Sequence, residues 1–337
     1  EMVFQCREKL ADFMGLGQPE QVMFTLNCTH AINMVLKGVV KHGGQVVTSN
    51  LEHNAVMRPL MKLKEEMGVQ VAVAQVVPGN DDETVSHFEK LITEKTSLVI
   101  CTHASNVCGL VLPVARIGAL CRQKGVLFAV DGAQSAGILP IHMQDMGIDY
   151  LCIPGHKGLY GPMGTGVLLA AKPIENTLIE GGTGNLSSDY HQPSDFPERM
   201  ESGTINVPGI AGLSAGIDFV RQKGVERIHT YEIDLLAHIY DGLNNTGRVK
   251  LYLPRPDTKH FSPVLSFNVP GISAAEMAQK YGAHQVAVRS GLQCAPAAHA
   301  FLGTLEEGTV RVSTSAFNQI EEINQFVWIT KKIIQSA

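Results

Sequence analysis

The sequence has 337 residues, 45% apolar and 18% charged, with a formal net charge of −5. That suits one large domain plus a smaller one, each with a buried core, and excludes a disordered chain. Scattered Lys and Arg in a weakly acidic chain offer no field for nucleic acid or an anionic membrane, and no run approaches the ~18 apolar residues of a membrane span.

From the start, helix and strand periods alternate. Val3, Cys6, Leu10, Phe13 and Met14 recur at helical spacing over 2–14, stopped by Gly15. Residues 22–26 are strand-like, and 29–41 are helical up to Gly43-Gly44. Short apolar runs follow at 45–48, 69–73, 98–101, 126–130, 151–153 and 167–170, with amphipathic stretches at 55–67, 82–92 and 114–124 between most of them. Helices alternating with continuously apolar strands predict an α/β fold around a mainly parallel sheet buried on both faces. Residues 181–209 read as a long irregular connection, of the kind that is functional in a compact protein. A long helical stretch over 210–244, strands near 249–253, 263–269 and 285–289, and a helix from Glu321 onward complete the chain. The expected division is a large domain, 1–220, and a smaller α+β domain, 221–337.

The seven cysteines, Cys6, Cys28, Cys101, Cys108, Cys121, Cys152 and Cys294, are odd in number and show no C-x-x-C pair. A chain this long needs no disulfide staples, so a reducing cytoplasm is expected, with any functional cysteine acting alone. No metal site is expected.

Ligands of a parallel sheet sit beyond the carboxyl ends of its strands. Three such places carry chemistry. Asp131 emerges from an apolar strand into Gly132-Ala133-Gln134; alone it reads equally as a helix cap or a ligand partner. Lys157, in Pro154-Gly155-His156-Lys157-Gly158, reads alone as a turn lysine or a functional amine. The glycines of Gly161-Pro162-Met163-Gly164-Thr165-Gly166 match neither nucleotide-binding pattern and precede a strand. Leu26-Asn27-Cys28-Thr29-His30 opens a helix, whose N–H groups either hold a phosphate or are simply capped. Together, an amine for a Schiff base, a carboxylate for a pyridinium nitrogen and a helix N-terminus for phosphate are what pyridoxal 5'-phosphate requires.

The ordered motifs extend this reading over the whole chain. They are Glu52-His53-Asn54, Thr102-His103-Ala104-Ser105-Asn106-Val107, Val130-Asp131-Gly132-Ala133-Gln134, Gly155-His156-Lys157, Glu201-Ser202-Gly203-Thr204, Arg289-Ser290-Gly291-Leu292-Gln293-Cys294-Ala295 and Val310-Arg311-Val312-Ser313. In these the sequence resembles the class V aminotransferase family and, within it, the cysteine desulfurase and selenocysteine lyase group. The resemblance implies the PLP-dependent transferase fold of the aspartate-aminotransferase type. It implies that Lys157 carries pyridoxal phosphate, that Asp131 pairs with the ring nitrogen, that Gln134 bonds the ring oxygen and that His53 stacks on the ring. The backbone at Cys28 and Thr29 and the His156 side chain hold the phosphate. Thr204 adds a hydroxyl from a neighbouring subunit, hence a homodimer with shared sites. Asn106 and Arg311 bind the substrate carboxylate; Arg289 is a further substrate-site candidate, and also a candidate for the electropositive setting a Cys294 thiolate needs. Cys294, in a Gly- and Pro-flanked loop, accepts sulfur from L-cysteine as a persulfide, leaving L-alanine, and passes it to an acceptor protein. Selenocysteine lyase, cystine C–S lyase and aminotransferase chemistries use the same Lys157 and Asp131.

Two departures stand out. Relatives begin with a further segment carrying a strand that frames the active site, whereas this sequence opens at Glu1 inside a helical pattern; a genuine absence would favour a non-catalytic scaffold. Pro154 and Cys28 stand where relatives often carry hydroxyl residues, which predicts a weaker grip on the phosphate.

Overall fold

The structure, a computed structural model, describes residues 1–336. It contains two compact units: Glu1–His103 with Leu112–Val225, and Ala104–Val111 with the chain from Glu226 onward.

The first unit runs α1 (Met2–Phe13), β1 (Val22–Thr25), α2 (Cys28–Val39), β2 (Gln45–Ser49), α3 (Asn54–Met67), β3 (Gln70–Ala74), α4 (Asp81–Leu91) and β4 (Thr96–Thr102). It resumes with α5 (Val114–Lys124), β5 (Leu127–Asp131), α6 (Met143–Met146), β6 (Tyr150–Pro154), β7 (Gly166–Ala170) and α7 (Val207–Lys223). The seven strands form one sheet in the order β1-β7-β6-β5-β4-β2-β3. All its pairs are parallel except those of β7, which is antiparallel to β6 and β1. Two reversals leave β1 pointing the same way as β6, so the ends of β1, β2, β4, β5 and β6 share one edge.

Helix α2 shows why the elements hold. Asn27 caps it, its side-chain oxygen accepting from the His30 N–H. Ala31, Ile32, Val35, Leu36 and Val39 recur at helical spacing and bury themselves in one cluster with Tyr150, Cys152, Leu168 and Ala170 of β6 and β7. Burying each such aliphatic side chain contributes about 1.5–3 kcal/mol.

The second unit runs α8 (Val225–Asn244), β8 (Lys250–Leu251), β9 (Val264–Asn268), α9 (Ala274–Ala283), β10 (Arg289–Gly291), α10 (Pro296–Leu302), β11 (Thr309–Ser313) and α11 (Ile320–Gln335). Its antiparallel sheet has the order β10-β11-β9-β8. Tyr281 stacks on Phe326 at 5.1 Å and Phe267 sets its edge against both. Residues 104–111 fold back on themselves through the Ala104–Val111 bridge, and Leu110 bridges Phe261. Gly109 is required there: its φ is +73°, and a Cβ would stand 2.4 Å from the Val264 carbonyl oxygen.

Two expectations are corrected. The helical stretch over 210–244 is two helices, broken at Gly224, whose φ of 85° no continuing helix permits. The strand expected over 285–289 begins only at Arg289, because residues 284–286 close the end of α9, with Gln285 at φ 59°.

Candidate active site

In the first unit the shared strand edge collects seven of the expected residues. Cys28 and Thr29 open α2; the Asn27 cap takes the His30 N–H, and the Cys28 and Thr29 N–H groups, in the first turn, have no intrahelical acceptor. His53 follows β2 and caps α3, its Nδ1 accepting from the Ala55 N–H at 3.0 Å. That bond puts the ring proton on Nε2 and sets the ring's orientation. His53 is therefore a helix cap whose ring is held in a fixed plane.

Asp131 ends β5 and is 2% exposed. Its Oδ1 accepts from the Ala133 N–H at 2.9 Å and from the Cys28 thiol at 3.4 Å. Burial, then the Asp131 and Cys152 charges, raise the Cys28 pKa well above its ordinary value, while Lys157 acts the other way. Cys28 is therefore a protonated thiol that donates to the carboxylate. Its side chain is spent on Asp131 and on the Cys152 carbonyl oxygen, 3.3 Å away, so the departure at this position acts on Asp131. Gln134 is half-buried in the turn beyond.

Lys157 and His156 lie exposed in the turn after β6. The turn is closed by Gly155 N–H to Thr165 O at 2.9 Å, Gly161 N–H to Gly155 O at 2.8 Å and Tyr160 N–H to Lys157 O at 2.9 Å. Helix α7 backs it so closely that a Cβ on Gly216 would meet the Leu159 carbonyl oxygen at 2.1 Å. Partial burial and the Lys157 ammonium hold the His156 pKa below its ordinary value. Its imidazole is thus neutral near neutrality and able to donate one N–H.

Thr204 is exposed on the wall of a cavity of about 240 Å³ also lined by Leu26, His30, Met34 and Ile179. Its segment is anchored by Glu201, which accepts from Arg7 and from the Phe24 N–H at 2.5 Å.

Sequence reasoning assigned Glu52 no role, yet it is fully buried beside His53. Its Oε1 accepts from the Ser49 hydroxyl at 2.5 Å and the Thr102 N–H at 2.9 Å, tying the ends of β2 and β4 together. Burial, offset in part by those two donors, pushes its pKa up to about 8. A carboxylate three residues past the end of the apolar strand β2, between Leu51 and His53, was the available signal.

The other four candidates lie in the second unit. Asn106 is buried; its Nδ2 donates to the Gln293 carbonyl at 2.8 Å, and its own carbonyl accepts from Arg311 Nη1 at 2.8 Å. Arg289 and Arg311 are directly paired across β10 and β11. Burial and then the Arg289 charge lower the Arg311 pKa, a pairing of like charges that favours an anionic ligand. Cys294 is exposed, with φ 57° next to Gln293 at φ 43°.

The class-V aminotransferase model matches residues 1–326. The chain belongs to that family. A probable cysteine desulfurase from Methanothermobacter thermautotrophicus is 34% identical over 327 residues, 95% of this chain and 80% of the relative. Among solved structures, the apo cysteine desulfurase from Thermococcus onnurineus superposes with a TM-score of 0.92 at 33% identity, covering 100% of this chain and 84% of that one. A cysteine desulfurase from Escherichia coli, in an S-sulfonic acid form, gives 0.90 at 25% identity, covering 99% and 84%. The α/β architecture with its mostly parallel central sheet is thus the family's own.

Proposed function

We propose that this chain is a pyridoxal-phosphate-dependent cysteine desulfurase that converts L-cysteine to L-alanine and leaves the sulfur as a persulfide on Cys294. One observation carries the reading beyond the family. Of the seven cysteines, six are buried with thiol pKa values raised chiefly by that burial, and Cys294 alone is exposed. Only a thiolate attacks sulfur, so only Cys294 is placed to do so.

The first unit's edge suits the cofactor by its chemistry. Asp131 is a buried carboxylate with one oxygen already fixed by two donors, suited to a pyridinium nitrogen. The α2 N-terminus and the His156 N–H suit a phosphate, Lys157 an aldehyde carbon, His53 a ring face and Gln134 a ring oxygen. Bound there, pyridoxal phosphate supplies an electron sink for the pair left on the substrate's Cα. Lys157 Nζ takes the Cα proton and returns one. Arg311, with Asn106, binds the substrate carboxylate, and Arg289, paired with Arg311 across β10 and β11, adds a second positive charge for it. Cys294 Sγ attacks the substrate Sγ; the new S–S bond forms as the Cβ–Sγ bond breaks, and the released pair takes a proton at Cβ. Cysteine and enzyme thiol thereby become alanine and enzyme persulfide, with atoms and electrons balanced.

A homodimer fits the exposed Thr204 and the exposed Leu26 and Ile179 around it, which a second copy would cover. Exposure of Cys294 suits hand-over of sulfur to an acceptor protein. Seven unbridged cysteines suit a cytoplasmic setting.

The test is alanine release from L-cysteine by the cofactor-loaded protein, its Cys294→Ser variant and its Lys157→Ala variant. Alanine from the parent and none from either variant is expected. Full activity in Cys294→Ser, or no visible cofactor band with excess pyridoxal phosphate, overturns the reading.

A further inference from the structure

Cys294 sits in a turn that its own sequence disfavours. The Ala295 N–H bonds the Leu292 carbonyl at 2.9 Å, and both residues inside the turn, Gln293 and Cys294, have positive φ. Such mirror-image turns are normally built from Gly or Asn, and left-handed backbone costs other residues about 1–2 kcal/mol each. The conformation persists only where the surroundings impose it.

What imposes it is a buried side-chain network behind the thiol. Gln293, 7% exposed, donates from Nε2 to the Thr309 carbonyl at 3.1 Å, which fixes its amide so that Oε1 is the acceptor. His299, fully buried on α10, approaches that Oε1 with Nε2 at 2.7 Å and the Thr304 hydroxyl with Nδ1 at 2.8 Å. A carbonyl oxygen can only accept, so His299 carries its proton on Nε2 and its Nδ1 accepts from Thr304. Burial lowers its pKa, and the ring stays neutral and in one tautomer. The chain of bonds continues from the Thr309 hydroxyl to Ser266 at 3.1 Å and from Ser266 to the Val107 carbonyl at 2.6 Å. It closes on itself, because Asn106, next to Val107, donates to the Gln293 carbonyl at 2.8 Å.

We infer that His299 is a positioning residue for sulfur transfer: through Gln293 it imposes the left-handed turn in which Cys294 presents its thiol. This rests on the desulfurase reading above and assigns the thiol's geometry to His299 and Gln293, which that reading places on neither substrate nor cofactor. Removing the Nε2–H donor leaves the Gln293 oxygen only the long 3.4 Å approach of the Thr309 hydroxyl, which lies closer to Ser266, and the turn relaxes toward ordinary φ. A displacement of the order of an ångström at a reacting atom slows its step about 100-fold. Asp131 is held by Cys28 and Ala133 and Lys157 sits in the turn after β6, so the groups that remove the Cα proton keep their own supports.

The experiment uses the cofactor-loaded enzyme with L-cysteine in D2O, reading alanine formation and deuterium exchange at Cα of recovered cysteine. His299→Phe is expected to slow alanine formation about 100-fold while exchange and KM stay within about twofold, and His299→Gln, which restores an N–H donor, to recover most of the rate. Thr304→Val, a milder change that releases the tautomer, is expected to slow alanine formation about tenfold and serves if His299→Phe does not fold. Alanine formation unchanged in a folded variant overturns the inference. So does a parallel fall of exchange and alanine, which marks a structural role only. Failure of the underlying reading shows separately, as full alanine formation by Cys294→Ser.

Discussion

The carboxylate of Glu201 receives both terminal guanidinium nitrogens of Arg7, at 2.8 and 2.6 Å, and both side chains are 7% exposed. Arg7 also donates to the Val22 carbonyl and lies 4.7 Å over the Phe24 ring, while Glu201 accepts the Phe24 N–H. The pair thereby nails α1, the edge strand β1 and the Thr204 segment to one point. Removing one partner strands a buried charge, so Arg7→Ala is expected to destabilise the fold by about 3–5 kcal/mol. Arg7→Met combined with Glu201→Gln, which strands none, should lose less. Urea unfolding of the three proteins checks this; equal midpoints would refute it.

Stability above neutral pH should be set by Glu52. The folded chain keeps on this carboxyl, with a pKa of about 8, a proton that the unfolded chain releases around 4.5. Its contribution is therefore full below 4.5 and is lost as pH rises toward 8. His103, which burial lowers from 6.5 to about 4, has the opposite sign: its contribution is lost as pH falls from 6.5 to 4. Between 4.5 and 6.5 the two oppose each other, and above 6.5 only Glu52 acts. At about 1.4 kcal/mol per unit, the parent should lose about 2 kcal/mol relative to Glu52→Gln between pH 6.5 and 8. Urea unfolding at those two pH values measures the gap, and a constant gap rules the assignment out.

Two glycine-to-alanine changes should move stability in opposite directions. In α9, a Cβ on Gly282 meets nothing within 4 Å, so Gly282→Ala is expected to gain about 0.5–1 kcal/mol from helix propensity. In α7 the same gain is outweighed at Gly216, where the new Cβ strikes the Leu159 carbonyl at 2.1 Å. A net loss of about 1–3 kcal/mol is expected there. The push falls on the turn that carries Lys157, so cofactor titration followed in the visible should weaken for Gly216→Ala alone. A stabilised Gly216→Ala would show that the turn gives way freely.

Much of this architecture is legible in the sequence because one force wrote both. Buried parallel strands must be apolar throughout, so a charged side chain at or just past a strand end stands out, as Asp131 and Lys157 do. Helix α5 is readable to the residue, since Pro113 opens it and Gly125, at φ 68°, stops it. The rest depends on information that is not local. The apolar period runs straight through Gly224, and only the backbone angle breaks it. β11 carries Arg311 in too short a run to announce a strand. Arg7 and Glu201 are 194 residues apart, and nothing near either names the other. His299, one histidine on an apolar helix, reads as a core residue until its two hydrogen-bond partners are seen.

The membership of residues 104–111 has a practical consequence. The second unit is not a continuous stretch of polypeptide: the piece that carries Asn106 is encoded more than a hundred residues upstream of the remainder. A gene fragment beginning at Glu226 would produce a sheet whose Gln293 carbonyl and Arg311 guanidinium had both lost their Asn106 partner. Expression of that half, or grafting it onto another scaffold, should yield an unstable product unless the eight-residue hairpin is supplied with it. For the same reason, a recombination breakpoint between the two units cannot be single. Exchanging this unit among relatives requires three cuts, around 103, 111 and 225.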